Sequence, residues 1–157
     1  MYNDFDKDLE VGALGEERVK QALTRLGHTI TNTSIELQMK DIDFICRNRK
    51  NQQTTLEVKS DFRVNGTGNV YIEISNINNK RNGYKGWYYY CEAEHLGVIE
   101  PQANVCHIFQ MSELREKMNE HSFRTAICNG GETKGALVPL SDIKKMDTYF
   151  SLNLLGA

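Results

Sequence analysis

With 157 residues, 39% hydrophobic and 25% charged side chains and only two prolines, the chain has the make-up of one ordinary globular domain with a core of its own. A formal net charge of −2 excludes a surface that is basic all over, yet it leaves room for a local basic strip. No apolar run reaches membrane-spanning length, and the acidic start "MYNDFDKDLE" lacks the regions of a signal peptide, so a cytoplasmic protein is expected. Cys46, Cys91, Cys106 and Cys128 are far apart, as are His28, His95, His107 and His121. With no C-x-x-C pair and no zinc spacing, the cysteines read as buried thiols.

In chain order, the spacing of Val19, Ala22, Leu23 and Leu26 predicts a helix from about Asp8 to Leu26, ended by Gly27. "HTITNTSIEL" reads as irregular or extended. "DIDFICR" and "TTLEVKS" alternate as two strands joined by the polar turn "NRKNQQ", an antiparallel hairpin. "NVYIEIS" is a third strand, and the Asn- and Gly-rich "NINNKRNGYKG" a loop. "WYYYCEAEH" reads as a short helix, "LGVIE" and "VCHIFQ" as two strands, and "SELREKMNEH" as a helix capped by Ser112. "ALVPL" and "SDIKKM" close the chain as a strand and a short helix. No repeat or linker divides it, and the order describes one mixed α/β domain over 1–157.

The chemistry of interest lies in the hairpin. Side chains alternate across a strand, so Glu57 and Lys59 share one face of "LEVKS" while Leu56 and Val58 share the other. In "DIDFIC", Ile42, Phe44 and Cys46 oppose Asp41, Asp43 and Ile45. Pairing the strands brings Asp43 beside Glu57, an oxygen-rich site suited to Mg²⁺. Lys59, about 7 Å along the same face, would orient or help deprotonate a water there. The plain alternative is a half-exposed hairpin with one solvated, charged face. Glu16 falls on the apolar stripe of the first helix, where it would look across at the hairpin. Its plain alternative is an i, i+4 pair with Lys20.

Glu16 on a first helix, Asp43 opening "DFI", and "EVK" at Glu57 to Lys59 together resemble the PD-(D/E)XK nuclease superfamily. The segment "GYKGWYYYCEAEHLGVIEPQANVCHIFQMSELREKM" and the closing "KGALVPLSDI" are similar to small phage-type Holliday-junction-resolvase-like proteins, so that the likeness spans about residues 9 to 145. The motif's proline is replaced by Ile42, and Asp41 stands as a rival to Asp43 in the "D-I-D" form. The resemblance implies a restriction-endonuclease-like core, a central mixed β-sheet flanked by helices. It also implies a DNA endonuclease that hydrolyses phosphodiester bonds, with branched or recombining DNA as substrate and a homodimer as assembly. Asp43, Glu57 and the carbonyl of Val58 would hold Mg²⁺ or Mn²⁺. Lys59 would position the attacking water and stabilise charge on the phosphorus, and Glu16 would act through a water or a second metal.

Lys80, Arg81 and Lys85, interleaved with Tyr84 and Trp87, suit a surface that tracks a phosphate backbone, and Arg63 after the "EVKS" strand is a further DNA-binding candidate. An ordinary loop with Trp87 in the core is the alternative. Glu73 reads as a surface strand glutamate rather than an accessory acid, and Tyr88 to Tyr90 as packing or a dimer seam. A catalytically silent DNA- or protein-binding module on a nuclease fold is the competing function, in keeping with the near-neutral charge. A nuclease acting on RNA is the third.

Overall fold

The computed structural model describes residues 4–156. Helix α1 (Asp4–Arg25) packs Val19, Ala22 and Leu23 inward, whereas Leu26, placed on the same stripe by its spacing, lies beyond the last turn and is exposed. The end is a Schellman motif: Gly27 adopts φ 90°, its N–H reaches the Thr24 carbonyl, and the His28 N–H reaches Leu23. The segment read as irregular or extended contributes an edge strand, β1 (Thr29–Asn32), and a single turn, α2 (Ile35–Gln38).

The hairpin forms as expected from β2 (Phe44–Arg47) and β3 (Gln53–Ser60), antiparallel with Phe44 opposite Leu56. The chain then leaves the sheet. After α3 (Val64–Thr67), strand β4 (Asn69–Asn76) joins a separate antiparallel sheet instead of extending the hairpin, and α4 (Trp87–Tyr90) packs against it. The return strand β5 (His95–Glu100) pairs parallel to β3, and β6 (Val105–Gln110) follows antiparallel. Helix α5 (Met111–Glu120) starts one residue before Ser112, with Gln110 as its cap, so Ser112 sits inside the first turn rather than capping it. Strand β7 (Thr125–Cys128) has no strong sequence signal; β8 (Thr133–Pro139), α6 (Leu140–Ile143) and a final strand, β9 (Phe150–Asn153), complete the chain.

The result is an α/β fold with a six-stranded mixed sheet in the order β1-β2-β3-β5-β6-β9 and a three-stranded sheet β4-β8-β7. Two cores sandwich the larger sheet. On one face Leu56, Val58, Ile108 and Leu152 meet Val19 and Leu23 of α1. On the other, Leu96, Val98 and Phe109 meet Val70, Ile72, Val138 and Trp87. A sheet covered on both faces has strands that read as continuous apolar runs, as "LGVI" in β5 does. The crossover from β3 to β5 therefore carries β4, one strand of the second sheet, and α4 over the polar face of β3. All four cysteines are buried free thiols. Among the described residues no helix is long and apolar enough to cross a membrane.

Candidate active site

Strand parity places Glu57 and Lys59 as expected, opposite Leu56 and Val58, but that face is covered rather than wet. Glu57 is only 3% exposed, and the Lys59 ammonium lies over the Trp87 ring at 5.8 Å. Trp87 itself is 7% exposed, so it belongs to the core and not to a stacking surface. The solvated-hairpin alternative thus fails at Glu57. A buried acid needs a partner, and Lys59 Nζ supplies it at 2.5 Å from Oε1.

Both aspartates approach, from different sides. Asp43 precedes β2; its N–H donates to the Leu56 carbonyl and its Oδ2 accepts from the Val58 N–H at 2.8 Å. In a strand the N–H and C=O of one residue point to the same edge, so the Val58 carbonyl is directed toward the Asp43 side as well. Asp41 lies outside the strand, with φ 51°, a left-handed conformation that aspartate tolerates better than most residues. This bend turns its carboxylate to within 3.6 Å of Lys59 Nζ. The rivalry between the aspartates resolves into a division: Asp43 on the amide of Val58, Asp41 on the ammonium.

Glu16 is half-buried on α1 and shares a cleft of about 310 Å³ with Asp43, Asn32 and Gln38. Burial first, and then the Asp43 carboxylate, push its pKa up to about 6 against the pull of Lys59. Burial likewise pushes Glu57 up to about 8, with Asp43 and Asp41 adding to the shift and Lys59 opposing it. Burial works against the Lys59 charge, but Glu57, Asp41 and Asp43 outweigh it and hold the ammonium above the ordinary lysine range. The surrounding carboxylates thus favour the charged form of Lys59. Two groups read otherwise from sequence belong to the cluster. Glu73 is half-buried, its pKa raised by that burial and by Asp41, and it accepts from the Asn76 amide at 3.4 Å. Tyr90 is pushed up to about 12 by burial and by the surrounding carboxylates, Asp41 foremost.

Among the described residues, Glu57 Oε2 is buried with no hydrogen-bond partner, and Asp41 Oδ2 has only the Lys59 ammonium at 3.6 Å. Orphaned buried oxygens are costly, and a divalent cation is the natural partner for them. Among the described residues no three His, Cys, Asp or Glu side chains close around one point as a ready-made cage. Mg²⁺ does not require such a cage, since it takes one or two carboxylates together with water and substrate phosphate. Asp43, Glu57 and the Val58 carbonyl are oxygen donors of the kind such a hard cation takes.

Lys80, Arg81 and Lys85 are exposed and make no ion pair among the described residues. Their loop is fastened to β4: the Asn76 N–H reaches the Tyr84 carbonyl, Asn79 Nδ2 the Lys85 carbonyl, and Lys85 bridges Ser75. The loop runs directly into Trp87, so one segment carries these cations and covers Lys59. Arg63 is exposed beyond β3 and lines a second cleft together with Lys59. The chain matches no family model, no curated protein and no solved structure.

Proposed function

We propose that the protein is a divalent-metal-dependent DNA endonuclease with a restriction-endonuclease-like core, acting on branched or recombining DNA. The observation that carries this reading is the buried Glu57 paired with Lys59, with Asp41 nearby, beside an Asp43 carboxylate fixed on the next backbone amide. Glu57, at 3% exposed, is buried far more deeply than a solvated strand face requires, and its Oε2 accepts no hydrogen bond among the described residues.

Asp43, Glu57 and the Val58 carbonyl would hold Mg²⁺ or Mn²⁺, which when bound supplies Lewis-acid stabilisation for phosphodiester hydrolysis. Lys59 holds a permanent positive charge beside that position and stabilises negative charge developing on the phosphoryl oxygens. Glu16, with its pKa near neutrality, is suited to take or return a proton from a water in the α1 cleft. Trp87 lies over the Lys59 ammonium at 5.8 Å, while Lys59 itself stays 32% exposed toward the cleft it lines. Lys80, Arg81, Lys85 and Arg63 contribute backbone contacts whose strength falls with salt.

The test is a cleavage panel of four-way junction, flap, duplex and single-stranded DNA in Mg²⁺, Mn²⁺ or EDTA, with a matched RNA strand. Metal-dependent cutting of DNA that Lys59→Ala abolishes supports the reading. Cutting that Lys59→Ala leaves intact defeats it. A folded protein that binds DNA but neither cuts nor binds Mn²⁺ belongs to the non-catalytic module class.

A further inference from the structure

The candidate centre opens on two sides. The α1 side, with Glu16 and Asp43, is acidic. The Lys59 side is a cleft of about 420 Å³ of different character: Val11 and Gly12 of α1 also border it, and Lys59, Asp61, Phe62, Arg63, Tyr71 and Trp87 are among its lining. We propose that this second cleft receives a single unpaired nucleotide next to the phosphate to be cut, so that the substrate class is DNA with single-stranded character at that position. The proposal rests on the nuclease reading above.

The cleft is in the size range of small-molecule pockets, with room for one nucleoside. A stacked duplex cannot place a base there without extruding it, whereas a flap, bulge or single strand can. Its wall is aromatic: Phe62 is 51% exposed at the mouth, and the Tyr71 ring lies across Gly135, where a Cβ would come within 2.4 Å of it. Exposed aromatic faces beside cations are how unpaired bases are held regardless of sequence.

The charges are arranged to match. Asp61, the acid of this wall, is spent on the backbone, accepting from the Arg63 N–H at 2.9 Å and the Tyr71 N–H at 3.0 Å. Arg63 touches the Cys128 thiol and forms no ion pair among the described residues, leaving its charge for a phosphate. The Phe62 carbonyl accepts from Gln102, and Asp61 N–H donates to Ile99, so the wall is built before any ligand arrives. Lys59 belongs to both the catalytic group and this cleft, which fixes the nucleotide as the one adjoining the reacting phosphate.

The experiment measures affinity by fluorescence anisotropy in EDTA, where nothing is cut, using single-stranded, flapped and fully duplex DNA of equal length. The full-length protein, Phe62→Ala and the exposed control Tyr89→Ala are compared. Single-stranded and flapped DNA are expected to bind about tenfold or more tightly than duplex. Phe62→Ala should lose about tenfold on those substrates alone, and Tyr89→Ala should change nothing. Equal binding of all three DNAs, no binding, or indifference to Phe62→Ala overturns the proposal. Cutting in Mg²⁺ without this preference leaves the nuclease reading standing and removes the cleft from it. The preference without any cutting does the reverse.

Discussion

Asp43 Oδ2 accepts a 2.8 Å hydrogen bond from the Val58 amide, across the point where β2 parts from β3. The ladder would otherwise leave that N–H unpaired. Asp43→Ala is therefore expected to cost about 1–3 kcal/mol of stability as well as divalent-cation binding. Asp43→Asn keeps an accepting oxygen, so it should retain nearly all the stability while losing the cation. Chemical denaturation paired with calorimetric Mn²⁺ titration separates the two roles.

Lys59 is the countercharge of a glutamate with almost no access to water. Its removal drives Glu57 toward the protonated form, so Lys59→Ala should fold, with reduced stability. Cleavage should fall by about a hundredfold or more, the scale of losing one charge stabiliser of the transition state. Near-ultraviolet dichroism checks the fold and single-turnover cutting the rate. A variant that is folded and fully active refutes the role given to Lys59.

Glu57 at about 8 and Glu16 at about 6 both hold their protons more tightly in the folded chain than at the ordinary 4.5. Between pH about 4.5 and about 8 the native state therefore binds more protons than the unfolded one, and stability falls as pH rises. Lys59 keeps its charge across this window and adds no slope. In EDTA the melting temperature should decline toward pH 8, and Glu57→Gln should flatten the upper part of that decline. Thermal melts over a pH series give the answer.

Gly86 stands where the basic loop enters α4. A Cβ there would lie 2.3 Å from the Glu73 carbonyl oxygen, a backbone atom that cannot swing aside. Gly86→Ala should cost about 1–3 kcal/mol and shift the segment covering Lys59. Trp87 is the chain's single tryptophan, so its emission spectrum reports the displacement directly.

Much of this centre was legible in the sequence because strand parity is rigid: "LEVKS" had to put Glu57 with Lys59, and the turn had to bring "DFICR" back against it. Period-two patterning does not distinguish a wet face from one roofed by another layer. The burial of Glu57 therefore comes from the β4–α4 crossover, and "NVYIEIS" reads locally as a strand without showing which sheet it joins. Glu73 was missed for the same reason. Asp41 was ambiguous because its left-handed bend takes it out of the strand, where parity no longer governs direction. The strands "TAIC" and "FSLN" are four-residue edge strands held by their neighbours, and they carry too few alternations to stand out.

The most direct measurement is anomalous diffraction from crystals soaked in manganese. A Mn²⁺ peak is expected within coordination distance of the Asp43 and Glu57 carboxylates and the Val58 carbonyl, with Lys59 beside it. Crystals that take up the ion elsewhere, or leave those oxygens bare at saturating manganese, would contradict the assignment.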